Sequence, residues 1–168
     1  HKDRDNLNSA KQEILKYTNA GNKQGTLRDA LVDADVFIGV SVGNLLTAED
    51  VRTMAEKSII FGLANPIPEI MPEEAIKGGA AIVGTGRSDL PNQINNVLGF
   101  PGIFRGALDA RAKQISNGMK LAAAFAIADH ITNPTADCII PPTLNESVAW
   151  KVGKAVQEVA IKEQKENS

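Results

Sequence analysis

An α/β fold, a parallel sheet followed by C-terminal helices, is predicted by three short apolar runs, by the helical segments between them and by the lack of alternation within them. The runs are Val36 to Ser41, Ser58 to Ala64 and Ala81 to Thr85. Helix-like segments separate them, which gives a βαβαβ rhythm. Each run is apolar nearly throughout, the pattern of strands covered by helices on both faces of a parallel sheet.

The elements follow in order. Leu7 to Tyr17 and Thr26 to Leu31 read as helical, with Gly21 and Gly25 breaking them apart. Past the first run, Thr47 precedes Ala48-Glu49-Asp50, so a hydroxyl can cap free N–H groups while two carboxylates sit by the positive end of a helix. Glu73 and Glu74 after Pro72 repeat the pattern, and Gly78-Gly79 ends that helix. Pro91 to Ala112 reads as one long helix, or one broken near Pro101-Gly102. Asn117 to Ile131 is apolar on almost every face and is expected to be buried. After Pro141-Pro142, Val148, Val152, Ala155, Val156 and Val159 form one stripe of a surface helix. The polar end from Lys162 to Ser168 is expected to fray.

Composition narrows the function classes. With 168 residues, 43% of them hydrophobic, one compact domain is expected. A formal charge of −2, from 18 basic and 20 acidic residues without long blocks, offers no field for nucleic acid or an anionic membrane. The most apolar stretch, Leu121 to Ala128, falls far short of the ~20 residues that span a bilayer, and no basic-then-apolar leader opens the chain. The lone Cys138 forms no internal disulfide, which fits a reducing compartment, and a cytoplasmic protein is expected.

Ligands of an open parallel sheet bind beyond the carboxyl ends of its strands, where loops present free N–H groups. After the first run, Ser41-Val42-Gly43-Asn44 is a small turn that either lets backbone approach a flat or anionic ligand or merely joins strand to helix. After the second comes Ala64-Asn65-Pro66-Ile67-Pro68-Glu69-Ile70, where two prolines stiffen the loop behind Asn65. The Asn65 amide offers a donor and an acceptor to a ligand, or caps its own turn. After the third, the glycines of Gly84-Thr85-Gly86 serve ligand approach or tight turning, and Arg87 and Asp89 can pair with each other. Asn92-Gln93-Ile94-Asn95-Asn96 holds four amides in five residues. Such a cluster caps a helix start, or converges neutral hydrogen-bonding groups on a carboxylate or hydroxyl substrate.

The remaining candidates read as structural. His130 is expected to be a satisfied structural histidine, and Cys138, with no adjacent base, an inert packed thiol. Asp129, His130 and Asp137 lack metal-ligand spacing. Tyr17 and Trp150 are expected to pack, since no basic stripe accompanies them.

Taken together, Phe37-Ile38-Gly39-Val40-Ser41, Phe61 to Ile70, Gly84 to Asp89 and Asn92 to Ile103 closely resemble the bacterial-type malic enzymes in order and spacing, and the resemblance runs from about Asn6 onward. It implies oxidative decarboxylation of malate to pyruvate and carbon dioxide, with NAD or NADP as hydride acceptor and a Mg or Mn ion polarising the substrate. Asn65 and the Asn95-Asn96 pair then resemble amides that contact malate and the nicotinamide end of the cofactor, while Ser41, Val42 and Gly43 resemble the backbone turn beside the dinucleotide. A homodimer or larger homo-oligomer is implied as well.

A dinucleotide domain needs a G-x-G-x-x-G turn and a ribose reader about 20 residues later, and neither occurs here. The resemblance also puts the family's catalytic lysine and tyrosine and its carboxylate metal ligands upstream of the matching region. Residues 1–168 are therefore expected to be the C-terminal part of the NAD(P)-binding domain, a partial Rossmann-like doubly wound parallel sheet with C-terminal helices, whose exposed strand edge pairs with the N-terminal part of the same enzyme. A noncatalytic binding or interaction module on the same sheet is the alternative, and another dehydrogenase, acting on amino or hydroxy acids, the third reading.

Two expectations can be checked. The amides of Asn65, Asn95 and Asn96 should meet at one cavity above the carboxyl edge of three parallel strands. The 168-residue polypeptide alone should neither turn over malate nor bind NAD tightly; malate-dependent formation of NADH or NADPH by it would overturn this.

Overall fold

The computed structural model describes residues 1–166. Two short helices, α1 (Ser9–Ile14) and α2 (Leu27–Leu31), lead into β1 (Val36–Gly39), α3 (Ala48–Arg52), β2 (Ile59–Gly62), α4 (Pro72–Gly78) and β3 (Ile82–Thr85). A 3-10 turn at Asn96–Leu98 then opens a helical half of α5 (Phe100–Asp109), α6 (Asn117–Ala128) and α7 (Glu146–Glu166).

The three strands are parallel in the order β1-β2-β3, with Gly39, Gly62 and Thr85 in register at their carboxyl ends. Each strand is shorter than its apolar run. The first two stop early because the N–H groups of Ser41 and Ala64 turn to the Glu69 side chain instead of a neighbouring strand.

Local signals set the helix boundaries. Thr47 caps α3, and Asp50 returns the bond to the Thr47 backbone, a reciprocal capping box that Thr26 and Asp29 repeat at α2. Pro72 opens α4, and Gly79, at φ 106°, closes it in the left-handed region that favours glycine.

Phe37, Ile60 and Val83 align across the sheet and pack with Leu31, Leu46, Val51, Met54, Ile70, Ala75 and Ala80 into the first core. The opposite face differs from the expectation of cover on both sides. Val36 is 47% and Ile38 63% exposed, so β1 alternates between buried and open although its sequence does not. An apolar residue reports a face suited to burial; among the described residues nothing is laid over this end of it.

Pro91 to Asn95 is not helical, contrary to expectation. Asn92 sits at φ 52°, outside the right-handed helical region, and Gln93 bridges Thr85 in parallel fashion. The buried Asn92 amide explains this, since it donates to the carbonyls of Val83 and Ala136 and accepts from the N–H of Ile139. Pro101 falls in the first turn of α5, where its missing N–H leaves no helical bond unmade.

The second core joins α5, α6 and α7 through Leu98, Ala107, Met119, Ala123, Ala126, Val148, Val152, Val156 and Ala160. Asn117 to Ile131 is not buried all round: Met119, Ala123 and Ala126 face the core, whereas Leu121 and Phe125 are exposed. Helix α7 continues through Glu166 instead of fraying from Lys162, because Ala160 is buried, Ser116 donates to Glu163 and Gln164 donates to the Ala110 carbonyl. Residues 167–168 of that predicted tail lie outside the described residues. Tyr17, Trp150 and Cys138 are exposed, not packed as expected, since α1 buries none of its residues and Trp150 leaves the α7 stripe.

Helices α5 and α7 cross closely. A Cβ on Gly102 would lie 2.7 Å from the Ala149 carbonyl oxygen and 2.7 Å from the Val152 Cβ, so backbone would have to move. Gly102→Ala is therefore expected to destabilise the protein by about 1–3 kcal/mol, the usual penalty of overpacking. An unchanged urea midpoint would contradict this close crossing.

Candidate functional site

The aligned carboxyl ends of the strands make a rim, and one acid organises its first two loops. Glu69 is fully buried, yet its carboxylate is paired at both oxygens: Oε1 accepts from the Ser41 N–H at 2.7 Å and Oε2 from the Ala64 N–H at 3.0 Å. Room for it on the strand side comes from Gly39, while Gly62 stands at ordinary contact distance. A Cβ on Gly39 would lie 2.6 Å from Glu69 Oε1, and one on Gly62 3.5 Å from Oε2. Burial pushes the Glu69 carboxyl up, but hydrogen bonds from the backbone of Ser41 and Ala64, with help from its own N–H and the Ser41 hydroxyl, outweigh it and hold the group below the ordinary glutamate range. Backbone bonds reinforce the link, from Asn44 to the Pro68 carbonyl at 3.0 Å and from Leu46 to the Glu69 carbonyl at 2.9 Å.

Ser41, Val42 and Gly43 form the turn directly after β1. A Cβ on Gly43 would meet the Ile67 carbonyl oxygen at 2.8 Å, so the close approach this glycine permits is to the second loop. Asn65 follows Ala64 on that loop, exposed, and the Asn65–Pro66 peptide is cis.

The third loop runs from Gly86 to Asn95. Thr85 is buried, accepts the Arg87 N–H at its hydroxyl and receives the Ile94 N–H at its carbonyl. Arg87 and Asp89 pair by two bonds of 2.9 and 2.6 Å, the self-pairing anticipated for them. The amide cluster divides its labour: Asn92 stitches the chain, Gln93 accepts from the Thr143 hydroxyl, and Asn95 Oδ1 caps the 3-10 turn through the Val97 N–H. The capping reading thus holds for one atom of Asn95.

Asn65, Asn95 and Asn96 line one cavity of about 710 Å³ together with Gln93 and the Arg87–Asp89 pair, at the carboxyl ends of β2 and β3. The three asparagines are thus brought to one cavity, at the ends of two strands and not of all three as expected. Ser41, Val42 and Gly43 are not in its lining; they stand at the end of β1 and reach the cavity loops through Glu69. Sequence reasoning overlooked Glu69. Its signal was an acid closing a proline-stiffened loop, with glycine at the same register position of both strands it joins.

The donor set is neutral or self-paired, which suits hydrogen bonding to an oxygen-rich ligand more than metal coordination. Among the described residues no cluster of three or more His, Cys, Asp or Glu could hold a metal ion. The residues present therefore do not fit a divalent cation by themselves.

Comparison with known proteins finds matches along most of the chain. A family model described as the malic enzyme, NAD binding domain, matches residues 1–161. The chain is 55% identical to the bifunctional malic/malolactic enzyme of Bacillus subtilis (strain 168), over 92% of this chain and 38% of that protein. It is 51% identical to the NAD-dependent malic enzyme of Geobacillus stearothermophilus, over 96% of this chain and 34% of the relative. The crystal structure of the malic enzyme from Pyrococcus horikoshii Ot3 superposes with a TM-score of 0.89 at 50% identity, covering 93% of this chain and 36% of that one. The chain thus spans between a third and two fifths of the length of these relatives.

The Glu69 carboxylate predicts a pH signature. Its folded value is depressed, so its stabilisation is complete above the unfolded-chain value of about 4.3 and is lost as pH falls through the lower folded value. Between pH 5 and 3 the denaturation midpoint of Glu69→Gln should fall less steeply than that of the unaltered protein. Parallel curves would show that the pairing contributes nothing to acid sensitivity.

Proposed function

The chain belongs to the malic enzyme NAD-binding domain family, and from that membership we propose that it is the part of a malic enzyme that carries the amides contacting malate and the nicotinamide end of NAD or NADP. The reaction is oxidative decarboxylation of malate to pyruvate and carbon dioxide. One observation carries the reading: Asn65, Asn95 and Asn96, from two separate loops, line a single cavity at the strand ends.

Uncharged amides suit this task. They offer both donors and acceptors to carboxylate, hydroxyl and carbonyl oxygens and do not titrate near neutral pH, so their hold on substrate is independent of proton concentration. Asn95 spends its oxygen on the Val97 N–H, which orients its NH₂ as a donor. The Ser41-Val42-Gly43 turn lies beside the dinucleotide, which when bound supplies the hydride acceptor. A Mg or Mn ion serving the reaction takes its ligands from outside this chain.

The remainder of the enzyme is the first partner of the proposal. The open apolar face at Val36 and Ile38, and the free edge of β1, are where the rest of the dinucleotide domain packs. Homo-oligomeric assembly and a cytoplasmic location belong to the same reading. No helix among the described residues is long and apolar enough to cross a membrane.

The test is a malate assay of the complete enzyme with each dinucleotide, with and without divalent metal. Asn65→Ala is expected to lower kcat/KM for malate by about 10- to 100-fold, the loss of one or two hydrogen bonds to a buried charged ligand, at unchanged melting temperature. Wild-type kcat/KM in that variant would remove Asn65 from the site.

A further inference from the structure

Glu69 does more than fill the space under the rim. Its carboxylate is the one side chain among the described bonds that holds the N–H groups of both strand-end loops, Ser41 by one oxygen and Ala64 by the other. Ser41 opens the turn assigned to the dinucleotide, and Ala64 immediately precedes the asparagine assigned to malate. A carboxylate is rigid and planar, so displacement of one oxygen moves the other. The carboxylate is fully buried, so an oxygen that loses its N–H partner has no solvent to replace the bond.

We propose that Glu69 is a positioning residue that couples the cofactor turn at Ser41 to the substrate amide at Asn65, so that occupancy of one loop sets the other for its ligand. This rests on the roles proposed above for those two loops. Two further features support a mechanical link. Gly39 lies so close to the carboxylate that a Cβ there would stand 2.6 Å from Oε1, and Gly43 seats directly against Ile67 of the second loop. Glutamine cannot replace it: its amide accepts at one oxygen only, and its NH₂ would face the other N–H donor. Glu69→Gln therefore releases one loop while nearly preserving volume.

The coupling is measured in the complete enzyme by varying malate and dinucleotide together in initial-rate kinetics. Each ligand should tighten the other by about 5-fold or more, reciprocally. In Glu69→Gln that factor should fall toward one and both KM values should rise, with kcat changed less than either. A purely structural role would lower the melting temperature and leave the factor intact, and that result overturns the inference while leaving the malic reading standing. Should Glu69→Gln not fold, Gly39→Ala, which pushes the carboxylate off the Ser41 side, carries the same kinetic test.

A second readout needs no ligand and separates failure of this inference from failure of the malate assignment. In ¹⁵N-labelled protein, Gly39→Ala should shift the amide signals of Ala64 and Asn65, and should shift them by less than half as much when Glu69 is already glutamine. Equal shifts in both backgrounds refute the coupling whatever the substrate is. Enzyme that lacks malate turnover but shows the Glu69-dependent shift refutes the malate assignment and supports the coupling.

Discussion

A buried carboxylate that must be fully paired constrains everything around the candidate site. Glu69 lies out of water with both oxygens taken by backbone N–H groups, which is how such a charge is tolerated in an interior. That pairing requires β1 and β2 to end at the same level, and the register of Gly39 with Gly62 provides this. It requires Gly39 to lack a side chain, since a Cβ there would overlap the carboxyl group. It also brings the two loops beyond the strands together, which is why a turn of Ser, Val and Gly stands next to a loop that presents Asn65. Strand register, glycine placement and loop approach are consequences of one electrostatic requirement.

Much of the sheet half was legible in the sequence, because its signals are local. Apolar runs marked three parallel strands, Thr47 and Pro72 marked helix starts, and Gly79 marked a stop. What escaped were matters of partnership. Composition shows that Ile38 is suited to burial but not what buries it, so cover on both faces was inferred where the described residues leave the second face open at β1. Likewise Leu121 and Phe125 made α6 look buried on all sides, although only its Met119, Ala123 and Ala126 face meets the helical core.

The amide cluster was legible as unusual, and Asn65, Asn95 and Asn96 share the lining of one cavity, at the ends of two strands instead of the three expected. Its internal division of labour was not legible. Asn92 reaches a carbonyl and an N–H far away in the chain, at Ala136 and Ile139, and no local pattern announces such partners. Those long-range bonds, together with the positive φ of Asn92, are what turned a predicted helix start into an extended segment lying along β3. Glu69 was hidden for the same reason, because its partners at Ser41 and Ala64 are set by strand register.

The cavity lies where the two cores meet. The sheet core fixes the loops after β2 and β3, the helical core fixes Leu98 and the start of α5, and Asn92 fastens the segment between them to the loop ahead of α7. Charge at this seam is already balanced: Arg87 is satisfied by Asp89, and Glu69 by backbone. Beside that ion pair, what faces a ligand is a set of neutral amides. Such a surface provides direction and shape and little net field, so a strongly anionic ligand would need its charge offset from beyond these residues. In the role proposed for them the asparagines act by orienting bonds, since a neutral donor at fixed distance selects geometry where a bare cation would select only charge.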